Sequence, residues 1–238
     1  LPSRTEDGRG PAGATGRIFG RCGGHRGARL IRSVVQKRIS DWLYQRGPAQ
    51  YYQPAYRQIA RGMGLERGRY LDVGCGPGWL CVHVADECGN VEAVGIDHSR
   101  HMIEAANRNK GDRRAVQFHE MSATAMTFDD ATFDVVSAIQ TAHHWRQPDV
   151  IFREVHRVLV SGGRCFVYEA DRHATAVPDG WVHRSSGKPT DASVLKGWRR
   201  FGMDDREWAT LEGQARAAGF DGVELDRHGF YRRMVLTK

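Results

Sequence analysis

The sequence predicts an α/β fold in which helices cover both faces of a mostly parallel sheet. Residues 70–73 form a short, mainly apolar run that stops at Gly74, and glycine recurs at 76 and 78 before a helical pattern begins at Trp79. Residues 91–97 and 133–139 are further buried runs, and the second is almost wholly apolar, as a central parallel strand should be. Strands that alternate with helices in this way indicate a doubly wound sheet.

Length and charge favour one folded domain preceded by a basic tail. At 238 residues the chain is long enough for a single well-buried domain. Residues 1–29 contain six arginines and two acids, a net charge of +4, so only +3 of the total charge of +7 belongs to residues 30–238. Such a nearly balanced body is a poor attractor for the phosphates of nucleic acid.

The first 64 residues are predicted to contain a disordered tail and two cap helices. Residues 1–29 hold eight glycines and two prolines but few large apolar groups, so they cannot form a core. The chain starts with Leu1, which leaves open whether this tail is a native end, a targeting leader or a fragment end. Residues 30–238 form the predicted domain, with the cap helices within residues 30–64. Residues 30–44 are amphipathic and basic, which we interpret as a solvated helix face rather than a membrane-binding surface.

Cysteine usage indicates a reduced, cytoplasmic protein without a structural metal. The five cysteines are an odd number and include no Cys-x-x-Cys pair. The chain also shows no secretory signal and no long apolar span. Cys75 lies in the glycine turn and Cys165 in a predicted core strand, so neither suits a disulfide framework.

The glycine turn indicates a site for a nucleotide-like ligand. Without Cβ atoms at Gly74, Gly76 and Gly78, a flat ligand can lie on the backbone N–H groups at the start of the following helix. The dinucleotide pattern Gly-x-Gly-x-x-Gly would require a third glycine at position 79, which is Trp79. This argues against a nicotinamide or flavin cofactor.

Asp72 and the three glycines together fill every specified position of an acid followed by x-Gly-x-Gly-x-Gly. In this motif the chain resembles the class I S-adenosylmethionine-dependent methyltransferases, and the resemblance extends over about residues 50–238. It implies a Rossmann-like sheet of seven strands with an antiparallel C-terminal hairpin, and S-adenosylmethionine as the cofactor. It also implies that the acid approaches the amino-acid end of the cofactor while the glycines pass beneath it.

Asp97 gives a second signal for this cofactor. It follows Gly78 by 19 residues, close to the interval at which a βαβ unit presents a carboxylate to ribose hydroxyls. The alternative is an acid that starts the next helix. Residues 121–123 are Met-Ser-Ala where the family has Gly-Asp-Ala, so the carboxylate that commonly meets the adenine amino group is missing. The predicted cofactor-binding residues are Asp72, Gly74, Cys75, Gly76, Gly78, Asp97, His98, Met102, Ser122, Ala123 and Gln140.

Two adjacent histidines are the first candidates for a general base. Residues 140–145, with the sequence QTAHHW, leave a predicted central strand and resemble a segment of small-molecule methyltransferases of the ubiquinone-biosynthesis type. His144 and then His143 are the predicted catalytic residues, because imidazole titrates near neutral pH. The alternative is a structural hydrogen-bonding role, and the second set of candidates is Glu169, Asp171 and His173. Adjacent histidines tend to point apart and no third ligand has a recognisable spacing, so no metal site is predicted.

Aromatic residues are predicted to surround the acceptor. Residues 171–203 form a long irregular insertion, which we interpret as a cover over the substrate. The predicted substrate-binding residues are Tyr51, Tyr52, Trp145 and Trp181. The alternative for the tyrosines is that they only pack against the sheet.

The predicted function is S-adenosylmethionine-dependent methylation of a small, aromatic or otherwise apolar metabolite. One alternative is an RNA or protein methyltransferase that uses the basic tail. The others are a non-catalytic cofactor-binding regulator and a nicotinamide-binding oxidoreductase, the last opposed by Trp79. The Asn/Asp-Pro-Pro-Tyr/Phe motif of enzymes that methylate base or glutamine amines is absent, which disfavours nucleic acid as a partner. The acceptor, the methylated atom and the oligomeric state stay open.

Overall fold

The computed structural model describes residues 51–182 and 191–238, except for the side chain of residue 201. The tail predicted over residues 1–29 and the helix predicted over residues 30–44 lie outside these residues. The helices are α1 (Gln53–Gly62), α2 (Trp79–Cys88), α3 (Arg100–Asn109), α4 (Pro148–Val158), α5 (Asp191–Phe201) and α6 (Asp205–Ala217), with a short 3₁₀ turn at Ala142–His144. The strands are β1 (Arg67–Val73), β2 (Asn90–Asp97), β3 (Val116–Glu120), β4 (Phe133–Ile139), β5 (Leu159–Ala170), β6 (Gly222–His228) and β7 (Tyr231–Thr237).

The strands form one seven-stranded sheet in the order β3-β2-β1-β4-β5-β7-β6. β1 is parallel to β2 on one side and to β4 on the other, and the pairs β2–β3 and β4–β5 are also parallel. β7 is antiparallel to both β5 and β6. The predicted α/β class, with a mostly parallel Rossmann-like sheet and an antiparallel C-terminal hairpin, is confirmed. Because the strand order reverses between β1 and β4, a ligand crevice is expected outside the carboxyl ends of these strands.

Each face of the sheet has its own apolar core. Side chains of α1, α2, α3 and α5 pack on one face, together with Tyr70 and Tyr168 of the strands. Side chains of α4 and α6 pack on the other face, together with Leu71 and Val167. Successive residues of β1 and β5 therefore enter opposite cores, as expected for strands that are covered on both sides.

Local sequence signals fix the helix ends that border the crevice. α2 begins directly after Gly78, whose φ of +79° is a left-handed conformation that favours glycine. α4 begins at Pro148, which suits the first turn of a helix because no N–H is needed there. α6 begins with a capping box, in which the Asp204 carboxylate accepts from the Glu207 N–H at 2.8 Å and Glu207 Oε2 accepts from the Asp204 N–H at 2.7 Å.

The insertion predicted over residues 171–203 contains a helix. Residues 191–201 form α5, and its buried Val194 and Trp198 are four positions apart on one helix face. α5 ends at Gly202, where a Cβ would lie 2.6 Å from the carbonyl oxygens of Ala170 and Trp198. The expectation of irregular structure was therefore wrong for residues 191–201, because the helical spacing of apolar residues outweighs the neighbouring glycines.

None of helices α1–α6 is both long and apolar enough to span a membrane. Cys75, Cys81, Cys88 and Cys165 are free thiols. Within the described part of the chain, no three His, Cys, Asp or Glu side chains are grouped so as to hold a metal ion.

Candidate active site

The glycine turn after β1 is fixed at both ends and open in its middle. The N–H groups of residues 74–75 donate to the carbonyl oxygen of Ile96 at 2.8 and 2.9 Å. A Cβ at Gly78 would lie 2.4 Å from the Phe118 ring, so this position is tightly packed. A Cβ at Gly76 would meet no described atom within 4 Å. The open part of the turn therefore lies at Gly76.

Asp97, at the end of β2, ties the turn to the start of α3. Its Oδ2 accepts from the Gly76 N–H at 3.0 Å, and its Oδ1 accepts from the Ser99 N–H at 2.8 Å. The residue is buried, and His98 Nδ1 lies 3.6 Å from Oδ1 on the solvent side. Each carboxylate oxygen can accept a further hydrogen bond. Asp97 is thus suited to accept two more donors beside the open part of the turn.

Asp72, at the end of β1, is a buried carboxyl group in a short hydrogen-bond chain. The Ser137 hydroxyl donates to Asp72 Oδ1 at 2.6 Å, and the Tyr70 hydroxyl lies 2.5 Å from the same Ser137 oxygen. Burial raises the pKa of Asp72 from 3.8 to about 7; the Ser137 hydrogen bond opposes this rise, and the Asp97 carboxylate adds to it. A positive charge beside Asp72 would stabilise its ionised form, so this group is suited to a cationic ligand.

Gln140, which follows β4, has a strained backbone and a side-chain nitrogen that no described residue pairs with. Its φ of +53° lies in the left-handed region, which is uncommon for residues with a Cβ. Its N–H donates to the Tyr168 carbonyl at 2.8 Å, and this bond holds the conformation. Its side-chain Nε2 is buried and makes no hydrogen bond among the described residues. Strain combined with an unsatisfied donor marks this strand end as a candidate binding position.

The next residue links this strand end to the glycine turn. A Cβ at Gly74 would lie 2.3 Å from Thr141 Oγ1, so the two residues are in close contact. His143 follows two positions later in the 3₁₀ turn. The segment after β4 therefore runs from the turn directly to the predicted catalytic histidines.

The 3₁₀ turn holds His143 against a buried carboxylate. The His143 N–H donates to Glu169 Oε1 at 3.2 Å, and its Nδ1–H donates to Oε2 at 2.8 Å. Glu169 is 2% exposed, whereas 32% of the His143 side chain is exposed. The hydrogen bond to Glu169 raises the pKa of His143 above 6.5, although burial opposes the rise. Because Nδ1 is occupied, Nε2 is the ring nitrogen available for proton exchange. The ring of His144 packs 3.9 Å from that of His143.

An aromatic cluster joins the two segments predicted to surround the acceptor, and it lies on the face of the sheet that α1, α2, α3 and α5 cover. We define this aromatic cluster as Tyr52, Trp181, Trp198 and Phe230. Trp198 of α5 donates its Nε1–H to the Tyr52 hydroxyl at 2.9 Å, and its ring lies 4.2 Å from that of Phe230. Trp181 covers the β6–β7 turn, since a Cβ at Gly229 would lie 2.5 Å from its ring. The cluster therefore connects α1, α5 and the C-terminal hairpin.

Comparison with protein families identifies the domain that carries this geometry. A family model described as a methyltransferase domain matches residues 71–167, which extend from β1 to β5. The matched residues include Asp72, the glycine turn, Asp97, Gln140 and His143. Residues 71–167 are therefore similar to a methyltransferase domain, and we use this name for the matched part of the chain.

Curated relatives of the methyltransferase domain differ in their acceptors, as their names state. A malonyl-[acyl-carrier protein] O-methyltransferase of Legionella pneumophila is 33% identical over 134 residues, which cover 56% of this chain and 42% of the relative. A phosphoethanolamine N-methyltransferase of Triticum aestivum is 31% identical over 163 residues, with coverages of 67% and 29%. A sterol 24-C-methyltransferase of Aspergillus fumigatus is 32% identical over 128 residues, with coverages of 49% and 34%. The chain thus spans less than half the length of each of these relatives.

Solved structures agree with this methyltransferase fold. A candidate S-adenosyl-L-methionine-dependent methyltransferase of Methanococcus maripaludis has a TM-score of 0.67 at 18% identity. The superposition covers 84% of this chain and 91% of the Methanococcus chain. Phosphoethanolamine N-methyltransferase 2 of Haemonchus contortus, in complex with S-adenosyl-L-methionine, has a TM-score of 0.60 at 17% identity, with coverages of 83% and 55%. At these identities the likeness concerns the fold alone.

The methyltransferase domain brings the predicted cofactor-binding residues to one edge of the sheet. Asp72, the glycines with Cys75, Asp97 and Gln140 lie at the carboxyl ends of β1, β2 and β4. Met102 is half-buried in the first turn of α3. Ser122 and Ala123 follow β3, and the preceding Met121 N–H donates to the Asp97 carbonyl at 3.0 Å. Their roles in binding stay predictions.

The predicted acceptor residues are divided between the two cores. Tyr52 and Trp181 belong to the aromatic cluster, and Tyr51 is 2% exposed with its ring 5.2 Å from that of Tyr52. Trp145 lies in the other core, where its ring is 5.4 Å from that of Phe152. The structure does not bring Trp145 together with the tyrosines, because the chain crosses to the α4 face after the 3₁₀ turn.

Neither Ser137 nor Trp198 is among the residues predicted from the sequence, and Glu169 is predicted only in the second set of candidates for the general base. Ser137 is the one hydroxyl side chain in β4, FDVVSAI, and this polar residue in a buried strand is a signal that could have found it. Trp198 lies in the segment expected to be irregular. No local pattern pairs Glu169 with His143, because the pairing depends on the adjacency of β4 and β5.

Proposed function

We propose that this chain is an S-adenosylmethionine-dependent methyltransferase that acts on a small, aromatic or otherwise apolar acceptor. The observation that carries the proposal is the glycine turn, which is open at Gly76 and bordered by two buried carboxyl groups, Asp72 and Asp97. The names of the relatives support the reaction class, and the aromatic cluster supports an apolar acceptor. A cytoplasmic location and independence from nucleic acid stay predictions from the sequence.

The residues present suit this cofactor in charge and in hydrogen bonding. The remaining lone pairs of Asp97 suit ribose hydroxyls, and the buried Asp72 carboxyl suits an ammonium group. The unpaired Nε2 of Gln140 is a donor for a carboxylate. When bound, S-adenosylmethionine supplies an electrophilic methyl group on its sulfonium. The open backbone at Gly76 leaves room for a ligand to lie against the turn.

The chain contributes to catalysis mainly by orienting the acceptor and by taking up its proton. Orientation alone supplies up to about 7–11 kcal/mol. We assign the proton transfer to His143 rather than to His144, because Glu169 fixes the ring of His143 and leaves its Nε2 available. The raised pKa of His143 suits a base that works near neutral pH.

Calorimetric titration with S-adenosylhomocysteine tests the cofactor. The wild type should bind it, and Asp97→Ala should weaken binding by about 1.5–3 kcal/mol, on the order of ten- to a hundredfold, because charge-assisted hydrogen bonds are lost. Asp112→Ala removes an exposed acid from the loop before β3 and serves as the control, with no change expected. A wild type that bound NADH and ignored S-adenosylhomocysteine would refute the proposal.

A tritiated-methyl transfer assay over pooled apolar metabolites and over RNA tests the acceptor class. Transfer to a small molecule is the expected result. Transfer to RNA alone would replace the small-molecule acceptor by the RNA alternative, and cofactor binding without transfer to any pool would favour a regulator.

A further inference from the structure

α4 carries an arginine that uses every donor it has to hold the segment after β3. The Arg157 guanidinium donates to the carbonyl oxygens of Phe128 and Met126 at 2.7 and 2.9 Å and to Asp130 Oδ1 at 2.8 Å. Its Nε and Nη2 also donate to the two carboxylate oxygens of Glu154 at 2.9 and 3.0 Å. These contacts occupy all five N–H donors of the guanidinium.

Glu154, which lies about one helical turn before Arg157 on α4, holds the same segment. Its Oε2 accepts from the Met126 N–H at 2.7 Å, so Met126 is bonded at both its N–H and its carbonyl oxygen. The hydrogen bond from Arg157 lowers the pKa of Glu154, which keeps the pair charged at neutral pH. We call Glu154 and Arg157 the α4 clamp.

The segment held by the α4 clamp directly follows β3, and β3 ends beside the proposed cofactor site. β3 is the neighbour of β2 in the sheet, and the Met121 N–H donates to the Asp97 carbonyl at 3.0 Å. If the amino-acid end of the cofactor lies at Asp72 on β1 and its ribose at Asp97 on β2, its adenine extends to the carboxyl end of β3. This step rests on the proposed function.

The residues at that strand end offer few side-chain groups to a purine. Ser122 Oγ is hydrogen-bonded to Thr124 Oγ1 at 2.8 Å and accepts from the Thr124 N–H at 3.3 Å. Met121 and Ala123 bring apolar side chains that pack on the α4 core. Adenine recognition there would depend on backbone groups, and these orient a ligand only if the backbone itself is held in place.

We propose that Glu154 and Arg157 are positioning residues that fix residues 121–130 as the adenine-binding edge of the site. The clamp touches neither the ribose nor the amino-acid end of the cofactor. Its removal therefore weakens every ligand that contains adenine by the same factor, whatever else that ligand carries.

The test compares S-adenosylhomocysteine with 5′-methylthioadenosine, which has the adenine and ribose but no amino-acid end. Arg157→Met keeps the aliphatic stem and removes all five donors. It should weaken both ligands equally, by roughly tenfold or more. Asp72→Asn should weaken S-adenosylhomocysteine and leave methylthioadenosine unchanged within twofold. Amide exchange at Met126 should be faster in Arg157→Met, which verifies that the segment has been released.

The control lies on the same helix. Arg153→Met removes an arginine whose exposed pair with Asp149, at 3.0 Å, belongs to α4 alone, and both affinities should stay as in the wild type. If Arg157→Met does not fold, Glu154→Gln takes its place, with an expected loss of roughly threefold for both ligands.

Two results would refute this inference alone. One is an unchanged affinity for both ligands in a folded variant whose Met126 amide exchanges faster. The other is a loss confined to S-adenosylhomocysteine. A wild type that bound neither ligand would refute the proposed function, and this inference with it.

Discussion

The two halves of the candidate site are built in different ways. In the proposed cofactor half, at β1 and β2, the hydrogen bonds that hold the glycine turn involve the backbone: the N–H groups of residues 74–75 donate to the Ile96 carbonyl, and the Asp97 carboxylate accepts from the N–H groups of Gly76 and Ser99. In the proposed acceptor half, at β5, α5 and β7, side chains make the connections. The difference teaches that the first half is specified by local sequence, whereas the second depends on contacts between distant parts of the chain.

Side-chain contacts in the acceptor half extend beyond the aromatic cluster. Arg227 Nε lies 2.7 Å from the buried Asp171 carboxylate at the end of β5. Arg172 donates through Nε and Nη2 to the Gly202 carbonyl at 2.8 and 2.5 Å, which ties the end of α5 to the same strand. Because such contacts depend on single side chains, we expect substitutions in the proposed acceptor half to leave the backbone contacts of the proposed cofactor half unchanged.

The largest effect is expected where the two halves meet, at His143. If it is the base, His143→Ala should lower the rate by about 10²–10⁴-fold. The folded pKa of His143 is raised, so the neutral, proton-accepting form appears as the pH rises through that pKa. The wild-type kcat/KM should therefore increase with pH above 6.5 and then level off, and a pH–rate profile measures this.

Two variants separate the base from a packing role. Glu169→Gln should move the acidic limb of the profile to lower pH, because the hydrogen bond that raises the pKa of His143 is weakened. His144→Ala should leave the position of that limb unchanged. A His143→Ala rate within tenfold of the wild type, at every pH, would leave orientation as the mechanism.

The next largest effect is expected from alanine substitutions at two glycines of the same turn, one of which should lower stability and the other ligand affinity. Gly78→Ala should destabilise the fold by about 1–3 kcal/mol from overpacking against Phe118, with about 1–2 kcal/mol more from the left-handed φ. Gly76→Ala should be destabilised only by its left-handed φ and not by overpacking, because a Cβ at this position has no described neighbour within 4 Å. Its methyl group should nevertheless weaken S-adenosylhomocysteine binding by tenfold or more, about 1.4 kcal/mol. Thermal melts and calorimetry on both variants make the comparison, and equal melting temperatures would contradict it.

These contrasts explain how much of the site the sequence could predict. The turn at Gly74 to Gly78, the acid at Asp97 and the parallel strands follow from local pattern, because a left-handed turn demands glycine and buried parallel strands demand apolar runs. The number of strands and the C-terminal hairpin were expected from the family resemblance. The pairing of His143 with Glu169 and of Tyr52 with Trp198 does not, since their partners lie 26 and 146 positions apart in the chain. Trp145 was expected to lie with the tyrosines. That expectation was wrong because sequence alone does not show to which face of the sheet the chain turns after a strand.

A pH effect on stability is expected from Asp72. The pKa of Asp72 is about 7 in the folded state, above the ordinary value of 3.8 that applies to the unfolded chain. The folded state therefore holds the Asp72 proton more tightly than the unfolded state does. The stabilisation is complete below the unfolded pKa and is lost as the pH rises through about 7. Asp72→Asn removes the buried charge and should be more stable than the wild type at pH 8, by up to about 4 kcal/mol, with a smaller gain at pH 5. It should also bind S-adenosylhomocysteine less well, and a variant destabilised at pH 8 would contradict the burial argument.

The smallest effect concerns the bond that joins α1 to α5. Trp198→Phe removes the Nε1–H that donates to the Tyr52 hydroxyl at 2.9 Å, at a cost of about 0.5–1.5 kcal/mol in unfolding free energy. Tyr52→Phe removes the acceptor, and the double variant closes a thermodynamic cycle that isolates the bond. The coupling should be at least about 0.5 kcal/mol, while affinity for S-adenosylhomocysteine stays within twofold in all three variants. A coupling near zero would show that the aromatic rings hold α5 without this hydrogen bond. A loss of cofactor affinity would show that the two halves are energetically linked, because the bond lies among side chains of the acceptor half and no backbone group of the glycine turn takes part in it.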